Sequence, residues 1–352
     1  MKLFARAEAP AANVDDKTVV SIQGITKQFG SHRVLEDITF DVPRGRTTAV
    51  LGPSGTGKSV LLKVIIGLLR PEAGQVYIDG EPLVGIPEKD LLRIRRKFGV
   101  LFQDGALFGS MSLYDNIAFP MREHTKASER QIRTTVYEKA ELVGLVAHLE
   151  KLPGEVSGGM KKRAGLARAL VLEPELIFFD EPDSGLDPVR VAYLDELVNT
   201  AQAETNSTFF IITHNIESVM RTAHFMGLLF RSKLVKFGSK AEIQESTNPI
   251  VRQFFGGKAE GPISMDEMAE DDGEVQGTEE APPSSPYRGP PTAEDHQGPA
   301  SPYAGPHPDG RLADGPAPWQ RSHREDGRAG DGRRPPEPDV IDDWPQEPDR
   351  RH

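Results

Sequence analysis

The 352-residue chain contains no cysteine. That excludes a disulfide framework, a thiolate-held zinc or iron–sulfur centre and a thiol nucleophile, and it suits a reducing compartment. Long apolar runs are missing too: no window approaches the roughly 18 uninterrupted apolar residues that mark a bilayer-spanning helix. The N-terminal stretch MKLFARAEAPAANVDDKTVV lacks the apolar centre of a secretory signal. Work at a membrane is therefore expected to pass through a partner. A broad basic face is the third absence. The formal net charge is −11, and residues 258–352 hold 22 acidic against 10 basic side chains. Residues 1–257 are nearly balanced, with 31 acids and 32 bases, which argues against a nucleic-acid partner held by a basic surface.

Composition also divides the chain. Of 29 prolines, 17 follow Gly257, and the apolar residues there are too sparse to offset the entropy of ordering the backbone. Residues 258–352 are expected to form a disordered Pro/Asp/Arg-rich tail, with Trp319, Trp344 and the pair Arg333 and Arg334 as candidate docking points within it. Residues 1–17 read as a flexible N-terminus. Between them, near period-2 alternation predicts strands at 19–29 and 35–42 with a turn at 31–33. Further strands are predicted at 47–51, 75–79, 98–102, 175–180, 208–213 and 225–230. A buried helix is predicted over 57–69, and long helical patterns at 126–148 and 188–204. Strands alternating with helices imply an α/β domain over 18–257 with a mainly parallel sheet, and the stretch from about 104 to 156 reads as a helical subdomain.

One motif carries chemistry outright. Gly52-Pro53-Ser54-Gly55-Thr56-Gly57-Lys58-Ser59 follows a predicted strand and opens a predicted helix. Its glycines let the backbone curl so that successive N–H groups face one concavity, where phosphate oxygens replace water. The helix amino end adds positive partial charge. In such a loop Lys58 reaches the β- and γ-phosphates and the Ser59 hydroxyl coordinates Mg²⁺. Chance alone produces the pattern roughly once in a hundred chains of this length, so a nucleotide site is assigned.

Two other segments gain meaning from it. Leu176-Ile-Phe-Phe-Asp180-Glu181 is an apolar strand ending in two carboxylates, which in isolation is a strand end meeting solvent. After a phosphate loop, Asp180 is suited to hold Mg²⁺ through its water shell and Glu181 to take a proton from attacking water. Val156-Ser157-Gly158-Gly159-Met160, followed by Lys161-Lys162-Arg163 and a helical run, offers either an ordinary Ser cap or a second anion-binding helix end.

Taken in order, the phosphate loop, Gln103 after a strand, Ser157-Gly158-Gly159, the Asp180-Glu181 strand, Ser184-Gly-Leu-Asp187 and His214 after a strand resemble an ATP-binding-cassette subunit over residues 18–256. The resemblance implies a P-loop NTPase core, an antiparallel β subdomain and a helical subdomain, with ATP and Mg²⁺ as cofactors. It makes Phe29 the adenine-stacking aromatic, with core or turn packing as the alternative. Gln103 becomes a metal-contacting glutamine, and Ser157, Gly158 and Gly159 a signature that closes over the ATP of a second copy. Asp187 takes a place beside that nucleotide, and His214 that of a γ-phosphate contact. Catalysis is then expected from Glu181, His214 and Lys58, and metal binding from Ser59, Gln103 and Asp180. Val156 and Met160 stand where this family usually has Leu and Gln, and Asn215 where Asp is common.

The stretch FQDGALFGSMSLYDNIAFPMREHT (102–125), together with NPIVRQFFGG (248–257), resembles the ATPases of Mce/Mla-type lipid transporters, the actinobacterial Mce-associated ATPases in particular. That implies integral-membrane permease partners, a place at the cytoplasmic face of the membrane, and an apolar docking surface from Phe108, Met111, Tyr114, Ile117 and Phe119. Alternative readings are an amino-acid or metal importer ATPase and a soluble non-transport cassette. A regulatory cassette would have lost Glu181 or His214, and both are present.

Overall fold

A computed structural model of the chain describes residues 17–263. The chain divides into two units, Met1–Gly277 and Thr278–His352, and everything described belongs to the first. The N-terminal stretch to residue 16, and Trp319, Arg333, Arg334 and Trp344 of the acidic segment, lie outside the described residues.

Two sheets organise the unit. The first is antiparallel, in the order β2 (His32–Pro43), β1 (Thr18–Phe29), β4 (Ala73–Ile78), β5 (Glu81–Pro82). The second runs β10 (Lys233–Ser239), β9 (Phe225–Phe230), β3 (Thr47–Leu51), β8 (Thr208–Ile212), β7 (Leu176–Asp180), β6 (Phe98–Leu101). Every pairing in this second sheet is parallel except the β10–β9 edge. The predicted α/β architecture with a β subdomain is what the chain adopts.

The strands β3, β7 and β8 read as unbroken apolar runs because both of their faces are buried. Phe209 and Ile211 face one hydrophobic cluster and Phe210 and Ile212 the other, and β7 alternates in the same way. One face is covered by α1 (Lys58–Ile65) and the antiparallel sheet. The other is covered by α3 (Leu113–His124), α4 (Glu129–Leu142), α5 (Gly158–Leu170) and α6 (Pro188–Thr205). Shorter helices complete the unit: α2 (Glu88–Arg95), α7 (Ile216–Thr222), α8 (Lys240–Gln244) and α9 (Pro249–Phe255). Among the described residues no strand lies between β6 and β7, in keeping with a helical subdomain there.

Several boundaries differ from the sequence reading. The helix expected to run to residue 69 stops at Ile65, where Gly67 turns left-handed (φ 73°) and the Leu68 N–H reaches back to the Lys63 carbonyl. The pattern over 126–148 yields α4 only to Leu142, because Gly144 (φ 64°) breaks it. Strand β10 was not predicted: it is a mostly polar edge strand, bulged between Leu234 and Lys236, so period-2 alternation is lost. The turn expected at 31–33 falls earlier, since β2 already begins at His32. Beyond Gly257 the chain bends back, and the Gln253 side chain donates to and accepts from the backbone of buried Ile263.

Among the described residues no helix is long and apolar enough to cross a membrane. Phe179 and Phe209 stand side by side in the core, ring centroids 5.1 Å apart. Phe179→Ala should cost about 3–5 kcal/mol in a chemical denaturation experiment. Val189→Ala, on the exposed face of α6, should stay within about 0.5 kcal/mol.

Candidate functional site

Parallel strands bring their carboxyl ends to one edge of a sheet, and the loops that leave this edge share a crevice. The phosphate loop leaves β3, Gln103 follows β6, Asp180 and Glu181 end β7, and Thr213 and His214 follow β8. The sheet order places β8 between β3 and β7, so His214 is delivered between the phosphate loop and the paired carboxylates.

The phosphate loop is shaped by contacts that leave no room for side chains. A Cβ on Gly52 would stand 2.2 Å from the Leu229 carbonyl oxygen. Gly57 is left-handed (φ 93°), and a Cβ there would stand 2.7 Å from Val34 of β2, so the antiparallel sheet braces the loop from outside. Lys58 is buried, and its ammonium donates back to the carbonyls of Gly52 (3.0 Å) and Pro53 (2.7 Å). Thr56 also donates to the Pro53 carbonyl, at 2.9 Å. The loop thus holds its own lysine at its centre.

Beside it the Ser59 hydroxyl donates to Asp180 Oδ1 at 3.0 Å, across 121 residues of sequence. Burial pushes the Asp180 carboxyl above its ordinary range, the Ser59 bond pulls it down, and the neighbouring Glu181 charge adds to the rise. The Ser59 hydroxyl and an Asp180 carboxylate oxygen thus lie together, at a carboxylate whose ionised form burial disfavours, which is chemistry suited to a hard divalent cation. Among the described residues no group of three His, Asp or Glu surrounds the spot, so phosphate oxygens and water would have to supply the remaining ligands.

Glu181 occupies a left-handed backbone position (φ 45°), held by its N–H bond to the Ile212 carbonyl at 2.8 Å. Such a conformation costs on the order of 1 kcal/mol in a non-glycine residue. Its carboxylate lies 4.0 Å from the Lys58 ammonium and 3.6 Å from His214 Nδ1. Glu181, Lys58 and His214 are therefore gathered at one point. The His214 backbone is pinned on both sides: buried Thr213 donates to Asp183 Oδ1 (2.8 Å), and Asn215 caps α7 by accepting from the Ser218 N–H (3.1 Å). Asn215 thus performs the capping that Asp would perform.

Other expected residues stand apart from this point. Gln103 is exposed, two residues beyond β6, and hydrogen-bonds to none of Ser59, Asp180 or Glu181. Phe29 ends β1 with its ring 40% exposed and the Lys27 ammonium 5.0 Å from its centre, so it is not core packing. Ser157 caps α5 by accepting from the Met160 N–H at 3.3 Å, while Val156 and Met160 pack partly buried against the core. A Cβ on Gly158 would meet nothing within 4 Å. Asp187 caps α6, accepting from the Val189 and Arg190 N–H groups at 3.1 Å each.

The sequence reading missed Lys162, Asp183 and Thr213, all buried. A signal existed for Lys162: it sits in the same helical stripe as the buried Leu166, Ala169 and Leu170, where an apolar residue is the norm. No pattern marks Asp183.

Because the Asp180 carboxyl is held above its ordinary range, its ionised form weakens the fold above the folded-state pKa, and this cost vanishes as pH falls below the unfolded-state value. Asp180→Asn, free of nucleotide, should melt at or above the wild-type temperature at pH 7. The gap should narrow as the melting scans are taken toward pH 4.

Comparison with known proteins agrees with this geometry. The sequence model of the ABC transporter family matches residues 35–184. The probable ribonucleotide transport ATP-binding protein mkl of Mycobacterium leprae is 56% identical over 70% of this chain and 72% of its own length. The intermembrane phospholipid transport system ATP-binding protein MlaF of Escherichia coli K12 is 38% identical over 70% of this chain and 91% of its own. A dimeric ATP-binding cassette solved in a post-hydrolysis state with ADP and Pi superposes at a TM-score of 0.58, with 26% identity over 62% of this chain and 98% of that one. At these levels of identity and coverage the chain belongs to the ABC transporter family, as one of its ATP-binding, ATP-hydrolysing subunits.

Proposed function

We propose that two copies of this chain close around two ATP molecules and drive a membrane permease that moves lipid, in a system of the Mce/Mla type. The observation that carries the reading is the gathering of Lys58, Glu181 and His214 beside Ser59 and Asp180 at one sheet edge. In this reading the N–H groups of residues 52–59 and the Lys58 ammonium bind the phosphates, and Ser59 and Asp180 hold Mg²⁺, with Gln103 joining from the β6 side. Held by Ser59 and Asp180, Mg²⁺ would supply positive charge against the transferring phosphoryl group. Glu181 accepts a proton from water, and His214 steadies the γ-phosphate end. Phe29, exposed at the end of β1, stacks on the adenine.

Ser157, Gly158 and Gly159 serve the other copy's nucleotide, with Asp187 beside them. Gly158 supports this assignment: it has neither a left-handed backbone nor a close neighbour in its own chain, so nothing within one copy requires glycine there. An approaching partner would. The solved dimeric relative bound to ADP and Pi lends further support.

For the permease, a groove of about 460 Å³ lies between β6 and the helical layer, lined by Leu92, Phe98, Val100, Pro120, His124 and Leu172 among others. The apolar surface expected from Phe108 to Phe119 is narrower than the sequence reading had it. Ile117 is fully buried, because α3 turns that face onto the core, whereas Phe108 is exposed and pairs with the half-buried Phe119, ring centroids 4.9 Å apart. A short permease helix fits such a setting, and it would hold the chain at the cytoplasmic membrane face. MlaF's name supports lipid as cargo, while mkl's name supports ribonucleotide as a second reading. Purifying the chain with its permease from native membranes and identifying the bound molecules separates them: co-purifying lipid upholds the first, a ribonucleotide other than ATP or ADP without lipid the second.

Glu181→Gln should leave ATP binding intact, lower turnover at least about 100-fold, and accumulate an ATP-dependent dimer by size-exclusion chromatography. Unchanged turnover would remove Glu181 as the base. Gly158→Ala should melt no lower than wild type, since alanine is favoured over glycine in a helix by about 0.5–1 kcal/mol. Its ATPase rate should nonetheless fall sharply, and a wild-type rate would free that surface from any role in closure.

A further inference from the structure

The Lys161-Lys162-Arg163 run after the glycine pair has no part in the chemistry above, yet its middle residue is 4% exposed. A buried lysine is costly unless its donors are met. Burial lowers the Lys162 pKa, and the carboxylates of Asp183, Asp104 and Glu181 act against that shift. Its ammonium donates to the Ser184 carbonyl (2.5 Å), the Ser184 hydroxyl (2.9 Å) and the Glu181 carbonyl (3.5 Å). Three donors thus meet three acceptors, all on the segment that links the hydrolytic carboxylate to Asp187.

The same helix holds the Gln103 segment. Arg168 of α5 donates to the carbonyls of Gly105 (2.7 Å) and Ala106 (2.8 Å). At Gly165 of α5 a Cβ would come within 3.2 Å of the Gly105 backbone, so helix and loop touch directly. Helix α5 therefore grips the loop after β6 and, through Lys162, the loop after β7. From there Asp183 continues to Thr213 and the His214 backbone.

We propose that Lys162 is a positioning residue that couples the two nucleotide sites. Closure of the α5 amino end on one ATP moves, through Lys162, the backbone that aims Glu181 of the same chain at the other ATP. This rests on the two-copy reading given above. The strained φ of Glu181 makes the coupling sensitive, because its carboxylate direction depends on a peptide that Lys162 helps to hold.

The test compares K162M, K162R and S184A in the full chain with its permease. K162M removes a buried charge while keeping an unbranched side chain, an exchange that is often neutral for stability. Its kcat should fall on the order of 10- to 100-fold with KM for ATP nearly unchanged, and K162R should recover part of the loss. In the E181Q background, K162M should still dimerise with ATP. A folded K162M with wild-type kcat overturns the coupling. So does a K162M that loses ATP-driven dimerisation in the E181Q background, since its defect would then be structural. If K162M does not fold, S184A decides: lowered kcat at unchanged KM upholds the proposal, and unchanged kcat overturns it. E181Q alone staying monomeric with ATP and permease would instead defeat the two-copy reading itself.

Discussion

Strands β3, β8 and β7 are locked in parallel register with both faces buried, and the site exists because of that lock. Val50 stands opposite Ile212, and Ile212 opposite Asp180, so the three chain segments emerge level with one another. A slip of one residue would turn every buried side chain to the opposite face, an arrangement that Phe178, Phe179, Phe209 and Phe210, all fully buried, resist. Packing and catalytic alignment are therefore the same constraint. The loops need not find one another, because the sheet has already placed them.

Charge is concentrated where that alignment ends. Lys58, Asp180, Asp183 and Lys162 are all buried, and each bonds to a group on a loop that leaves the carboxyl edge. Each is met by a partner chosen by position: loop carbonyls for Lys58, Ser59 for Asp180, Thr213 for Asp183, Ser184 for Lys162. Groups desolvated in this way have fixed directions, which suits a site that must hold phosphate and aim a proton acceptor before reaction starts. Glu181 is the exception in its backbone, held left-handed by its N–H bond to the Ile212 carbonyl and by the Ser184 N–H and Lys162 donors on its own carbonyl.

The helical layer shares the hydrophobic cluster of the sheet face it covers, with α3, α4 and α5 contributing Ile117, Val136 and Leu166 to it. Polar grips at Arg168 and Lys162 join α5 to two of the functional loops. The amino-terminal half of α5 is thus joined to the Glu181 and Ser184 backbone through a side chain rather than through the sheet.

Much of this was written locally. The phosphate loop, the β7 carboxylates and the Ser157 cap are short-range patterns whose chemistry follows from residue type and spacing, and the alternation of strands with helices announced a mainly parallel sheet. Helix ends at Gly67 and Gly144 and the polar edge strand β10 were harder, since glycine tolerates helix as well as breaking it and an edge strand needs no alternation. Nor does a linear pattern tell a buried Ile117 from an exposed Phe108, because both are apolar residues scattered through one mixed stretch. What the chain alone settled was the kind of chemistry, through contiguous motifs. What only folding settled was which distant groups meet: Ser59 with Asp180, Lys58 with Glu181, and Lys162 with Ser184. Those pairings depend on strand order and register, which are properties of the whole sheet and not of any window of sequence.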